Sequence, residues 1–127
     1  MRHPSRLALC LLALVIAGCG TSTADWVAQT KSSDPSTRQH AVQALQRRVK
    51  EQATVVPALT EALQDENKFV RRDAAKGLGK FGPAAQDAVP ALQYRLQDGE
   101  PSVRKAAARA LAQIGRSDSA PAASVTR

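Results

Sequence analysis

Large rings are scarce in this chain: of 127 residues only 3% are aromatic, one Trp, one Tyr and two Phe. Its core must therefore be built from Ala, Leu and Val. Histidine is scarce too. Beyond His3 there is only His40, which has no second His or Cys at metal-ligand spacing, so a zinc or iron centre is excluded. The two cysteines, Cys10 and Cys19, lie close to the N-terminus, which leaves no disulfide framework for the rest of the chain. No Ser/His/Asp or Cys/His nucleophilic set can be assembled from what remains. Acids are outnumbered, 11 against 18 Lys and Arg, and the resulting charge of +7 favours an anionic partner or surface. The longest apolar run, Leu7 to Ala17, is too short for a helix that must cross about 30 Å of hydrocarbon.

That run is flanked by Arg2 and Arg6 on one side and by Ile16-Ala17-Gly18-Cys19 on the other, the layout of a secretory signal. The IAGC tetrapeptide resembles the lipobox of bacterial lipoproteins. The resemblance implies a signal peptide over residues 1–18, cleavage before Cys19 and acylation of that cysteine, with residues 19–23 as a tether. It also implies a cell-envelope location. Gly20, standing where Asp would direct inner-membrane retention, favours the outer membrane in a Gram-negative cell.

Beyond the leader the chain repeats itself. Val56–Gly82 aligns without gaps on Val89–Gly115 at an offset of 33, matching Pro57 with Pro90, Asp65 with Asp98, Val70 with Val103, Arg71 with Arg104, Leu78 with Leu111 and Gly82 with Gly115. A further step back gives a degenerate copy over roughly residues 24–49, with Ser32 at the Asp position, Thr37 for Val, and Arg48 where Phe81 and Ile114 stand. Each copy reads as two helices. Pro57 and Pro90 suit a first helical turn, and Val70, Ala74, Leu78 and Phe81 fall within a sector of about 80° on a second helix over roughly 68–81. Gly82-Pro83 ends that helix, and Gly115 is expected to do the same one copy later.

The proline, the Asp of the turn, the Arg six residues on and the V-R-x-x-A-x-x-x-L run ending at glycine resemble HEAT repeats, in particular the phycobilisome-lyase type. The resemblance implies an all-α fold: a short right-handed α-solenoid of about three helical hairpins over 24–116 (24–49, 56–82 and 89–115). Its first copy is expected to be a frayed or capping repeat, and residues 117–127, small and polar, read as a disordered tail. It also implies a structural ladder in which Asp65 and Asp98 meet Arg38, Arg71 and Arg104 between adjacent repeats.

Gly77, Gly79 and Gly82 match G-x-G-x-x-G, but the repeat puts them inside and at the end of a helix. A phosphate cradle needs the start of one, because a helix C-terminus repels anions. Nucleotide binding is therefore excluded. Close helix packing accounts for Gly77; the sequence offers no reason for Gly79.

Apart from Lys31, Arg95 and Arg127, every basic residue after Cys19 falls in a second helix or at its ends. With Val70 at 0°, Arg72, Lys76 and Lys80 lie at about 200°, 240° and 280°, opposite the core. Their equivalents are Gln39 and Lys105, Gln43 and Arg109, and Arg47 and Gln113, so the face contains bases and glutamines and no acid. Second helices line the concave side of HEAT arrays. The resemblance thus implies a concave binding strip of Arg47, Arg72, Lys76, Lys80, Lys105 and Arg109, with Trp26 and Tyr94 as packing residues. The expectation is a non-catalytic, membrane-anchored binding or scaffolding module that uses no cofactor and takes another protein or an acidic envelope polymer as partner. Self-association is open to it, and nucleic acid is excluded by compartment. The same strip lying on anionic membrane is the alternative, and a lyase-like enzyme, by fold analogy alone, a more distant one.

Overall fold

The computed structural model describes residues 21–119. The signal peptide, Cys19, Gly20 of the tether and residues 120–127 of the tail lie outside the described residues. Six α-helices form three successive hairpins: α1 (Thr23–Gln29) with α2 (Pro35–Leu45), α3 (Gln52–Ala62) with α4 (Lys68–Phe81), and α5 (Val89–Arg95) with α6 (Pro101–Ser119). Short 3-10 turns, Val49–Glu51 and Gly82–Ala88, join one hairpin to the next.

The starts of the helices are written in their caps. Ser22 and Asp25 form a reciprocal capping box on α1, with the Asp25 N–H donating to Ser22 Oγ at 3.2 Å and the Ser22 N–H donating to Asp25 Oδ2 at 2.9 Å. Asp34 accepts the Thr37 N–H at 2.8 Å to cap α2, and Asn67 accepts the Phe69 N–H at 2.9 Å to cap α4. Gly82 closes α4 with a φ of 55°, which a side chain would disfavour, and Pro83 prevents continuation.

The core is aliphatic throughout. Leu45, Leu59, Leu63, Leu78, Leu92 and Ile114 are fully buried together with Val42, Val55, Val70 and Val103, each contributing about 2 kcal/mol by removal from water. Ala41, Ala74, Ala75 and Ala107 let the helices approach between them. Neighbouring second helices pack closely, α2 on α4 and α4 on α6, whereas neighbouring first helices touch much less. The stack is tighter on the second-helix side, and this makes α2, α4 and α6 the inner wall.

Three expectations change. Helix α3 begins at Gln52, so Pro57 lies inside it rather than in its first turn. The proline costs the helix one hydrogen bond at the carbonyl of Ala53, and Pro57 and Ala53 are both exposed, where that loss is least expensive. Pro90, by contrast, does open α5. At the C-terminal side α6 runs through Gly115 to Ser119, into the segment read as tail, because Arg116 stands where Pro83 halts the preceding copy. The first copy packs as a repeat, with Ala41, Val42 and Leu45 buried. Arg48, lacking the apolar character of Phe81 and Ile114, turns outward and donates to the Thr21 carbonyl at 2.6 Å and to Thr23 Oγ1 at 3.2 Å.

Candidate binding face

One arginine recurs at the fourth residue of every second helix: Arg38, Arg71 and Arg104. One guanidinium nitrogen of each donates to two carbonyls of the preceding turn. Arg38 Nη1 meets Ser32 and Ser33 at 2.8 and 3.1 Å, Arg71 Nη1 meets Asp65 and Glu66 at 2.8 and 3.0 Å, and Arg104 Nη1 meets Asp98 and Gly99 at 2.7 and 3.3 Å. The rest of the fork reaches into the next repeat. Arg38 grips Asp65 through Nε and Nη2 at 2.7 and 3.0 Å, and Arg71 grips Asp98 at 2.9 and 3.0 Å. Only arginine can make this pair of parallel bonds while clamping its own turn.

Each ladder carboxylate also holds its own turn. Asp65 Oδ1 accepts the Asn67 N–H at 2.8 Å, and Asp98 Oδ1 accepts the Glu100 N–H at 3.0 Å. Arg95 adds a further bond to Asp98 at 3.0 Å. Burial by itself would raise the Asp98 pKa, but the bonds from Arg71, the Glu100 amide and Arg95 outweigh it and hold this carboxyl at about 2.

The inner wall carries the basic residues read from the sequence, and it sorts them. Beneath the strip lies Asp73, a buried acid that the sequence reading passed over. Gln39 and Gln43 both donate to Asp73 Oδ2 at 2.9 Å, and Arg72 Nε donates to Asp73 Oδ1 at 2.9 Å. Burial opposes ionisation of Asp73, yet these three donors lower its pKa all the same. Arg72 is half-buried, its guanidinium 5.3 Å from the Phe69 ring centroid. Lys80 donates to Gln46 Oε1 at 3.1 Å, and Gln46 in turn donates to the Asp73 carbonyl at 2.8 Å. So Arg72 and Lys80 belong to a hydrogen-bonded seam between α2 and α4. Arg47, Lys76, Lys105 and Arg109 are exposed and make no ion pair among the described residues.

The signal for Asp73 was present in the sequence. It stands where the other copies have His40 and Ala106, an acid alone in its row, with two glutamines one repeat earlier to meet it. The two glycines of the same helix also find their reasons. A Cβ on Gly77 would lie 2.6 Å from Gln46 Cγ and 3.0 Å from Leu59 Cδ1. One on Gly79 would meet Gln113 Oε1 and come within 3.0 Å of the Ala110 Cα, so α4 and α6 approach closely at this point.

Of the two aromatic residues assigned to packing, Trp26 sits against the core with its ring centroid 5.4 Å from that of His40. Tyr94 does not pack. It is 73% exposed on α5 with the Arg95 guanidinium 4.7 Å from its ring centroid, because its position in the repeat, that of Glu61, faces outward. On the outer side a groove of about 560 Å³ runs between α3 and the Gly82–Ala88 turn, lined by Gln52, Val56, Pro57, Glu61, Ala84 and Asp87. It has no basic residue and no facing acid–base pair. Among the described residues no helix is long and apolar enough to cross a membrane.

No curated protein matches the chain. Among solved structures it resembles a chain of the complex of CpcE and CpcF of phycocyanin lyase from Nostoc sp. PCC7120, with 34% identity and a TM-score of 0.69. The match covers 81% of this chain and 41% of that one, so this protein spans less than half of its structural relative. The family described as HEAT repeats matches over residues 23–86 and 83–124, which takes in all three hairpins and their arginine–aspartate ladder: the chain belongs to the HEAT-repeat family.

Proposed function

We propose that this protein is a lipid-anchored envelope module that binds, without catalysis, an acidic surface of another protein through its inner wall. The observation that carries the reading is the set of exposed bases Arg47, Lys76, Lys105 and Arg109, which make no ion pair among the described residues, beside an acid, Asp73, that is buried and already occupied by Gln39, Gln43 and Arg72. A solvated helix face ordinarily mixes both signs, and a wall of one sign steers an anionic partner. Arg72 and Lys80 act in this reading as supports that fix the wall. The likeness to a chain from a two-protein lyase complex supports protein binding.

Anchoring rests on the IAGC motif. Replacing Cys19 by Ala in the full chain is expected to abolish metabolic labelling with a radiolabelled fatty acid and to release the protein from the membrane fraction; unchanged labelling would overturn the anchor. For the wall, Lys76→Glu combined with Arg109→Glu in the lipidated protein is expected to abolish in-cell crosslinks that originate on α4 and α6. Undiminished crosslinking would remove the wall from the function.

A second reading has its own observation. The Arg48 bond to the Thr21 carbonyl holds the segment leading into α1 against the end of the first repeat that bears Arg47, exposed Val49 and Lys50. With Cys19 acylated, that end would lie at the bilayer, and its bases would meet anionic headgroups. Salt-sensitive binding of the unlipidated chain to vesicles containing phosphatidylglycerol is its test, and no binding at low salt eliminates it.

A further inference from the structure

The three repeats differ in one respect that the inner wall does not explain. The side of the second repeat that meets the third is closed: Leu63, Ala75 and Leu78 are fully buried, Gly79 is buried, and Arg71 is paired with Asp98. The equivalent side of the third repeat is open. Leu96 is 40% exposed where Leu63 is 0%, Ala108 and Ala112 are exposed, and Leu111 is only partly covered. Arg104 clamps its own turn through Nη1 as the other two do, but its Nε and Nη2 meet no carboxylate among the described residues. The fork is held by its own turn as in the two preceding repeats, and no carboxylate among the described residues completes it.

We infer that this end face is a docking site for a helical hairpin of a different protein, one that lays a small-residue helix across Ala108 and Ala112 and presents an aspartate in its inter-helix turn to Arg104. Charge complementarity selects the occupant. A planar guanidinium already fixed at one nitrogen takes a carboxylate in bidentate fashion, as Arg38 takes Asp65 and Arg71 takes Asp98. Residues 120–127 of this chain, APAASVTR, contain no Asp or Glu and cannot supply it. A second copy stacked head to tail would offer its first repeat, which has Ser32 at the required position. Two copies meeting end to end would bring two third repeats together, and their ladder aspartate, Asp98, is already held by Arg71 and Arg95. Neither self-pairing offers a free aspartate at the ladder position, so the fork selects an occupant that carries one.

The face can be tested in the full chain by inserting a second copy of residues 83–115 directly after Gly115. Pro83 of the insert then restores the Gly-Pro stop, and the new aspartate falls 27 residues after Arg104, the spacing of Arg71 to Asp98. The insertion is expected to raise Tm by about 5 °C, and Asn in place of the new aspartate to cancel most of the gain. A Tm that fails to rise overturns the docking face. The occupant is tested by a photocrosslinking residue at position 108 of the full chain in its own cells, with both crosslinked peptides sequenced. An adduct in a helical hairpin of another protein with Asp in its turn is expected. Its yield should fall about tenfold on Arg104→Lys, which keeps the charge and loses the fork, and on Ala112→Glu, which is exposed and leaves this chain's own packing untouched. Adducts only between copies of this chain, adducts in a protein without such a turn, yields insensitive to both variants, or no adduct, each overturn the inference.

Discussion

Arg71 and Arg72 are neighbours in sequence and lie on different structures. Arg71 closes the junction between two repeats, with its fork on Asp98 and its remaining nitrogen on the turn it came from. Arg72 belongs to the inner wall, one of three donors around Asp73, while Lys76 one turn further on faces solvent without a partner. Positive charge thus does three jobs within six residues of one helix: it joins repeats, it neutralises a buried acid and it coats a surface. The difference lies in which carboxylate, if any, the fold brings within reach.

The sharpest way to break the contrast is to remove a ladder carboxylate. Asp98→Ala is expected to cost about 3 kcal/mol in denaturant unfolding, because two arginines and a backbone amide lose their acceptor in a buried setting. Arg104→Ala, which forfeits only bonds to its own turn, should cost about 1 kcal/mol.

Acid should act on the ladder in the same direction. The Asp98 carboxyl is held at about 2 in the folded chain, below the value near 3.9 of an unfolded one, so its stabilisation is complete above about pH 5 and is lost as pH falls toward 2. The loss is about 2 to 3 kcal/mol by linkage, to which Asp73 adds in the same sense. Urea midpoints measured from pH 5 down to pH 2 would check it, and Asp98→Asn should flatten the profile.

Packing beneath the wall gives a smaller effect of opposite sign at two glycines. Gly79→Ala should destabilise by about 1 kcal/mol, since the new methyl meets the Ala110 backbone and this outweighs the gain in helix propensity. Gly115→Ala should stabilise by up to about 1 kcal/mol, as its position lies within α6 with nothing near it. Thermal unfolding of the two variants separates a glycine required by close approach from one that is not.

The smallest change in stability is expected on the exposed wall. Lys76→Glu with Arg109→Glu should shift unfolding by no more than about 0.5 kcal/mol while abolishing the crosslinks assigned to the wall. A large loss of stability there would erase the distinction between ladder and strip.

Much of this was legible without coordinates. An offset of 33 with apolar residues at helical spacing fixes hairpins, core faces and the identity of the ladder residues, because each copy must bury the same stripe against the next. The span of α4 is readable from Asn67 and the Gly82-Pro83 stop, both local signals. Where a local signal conflicts with packing, reading by analogy fails. Pro57 looks like an opening residue and lies mid-helix because α3 continues backward to bury Val55 and Val56. Tyr94 looks like core and is surface because its repeat position faces outward.

The sequence alone therefore determined the period, the all-α architecture, the glycine stop at Gly82 and the segregation of basic residues on the second helices, since each follows from spacing along one chain. Only the tertiary structure decided which bases are occupied and which are free. Asp73 lies more than thirty residues from Gln39 and becomes its neighbour only when α2 and α4 stack. Arg104 matches Arg71 in its local sequence and in the clamp on its own turn, and differs in that no carboxylate among the described residues reaches its fork. A charge is characterised by what stands within a few ångströms of it, and in a solenoid those neighbours come from the next turn of the stack.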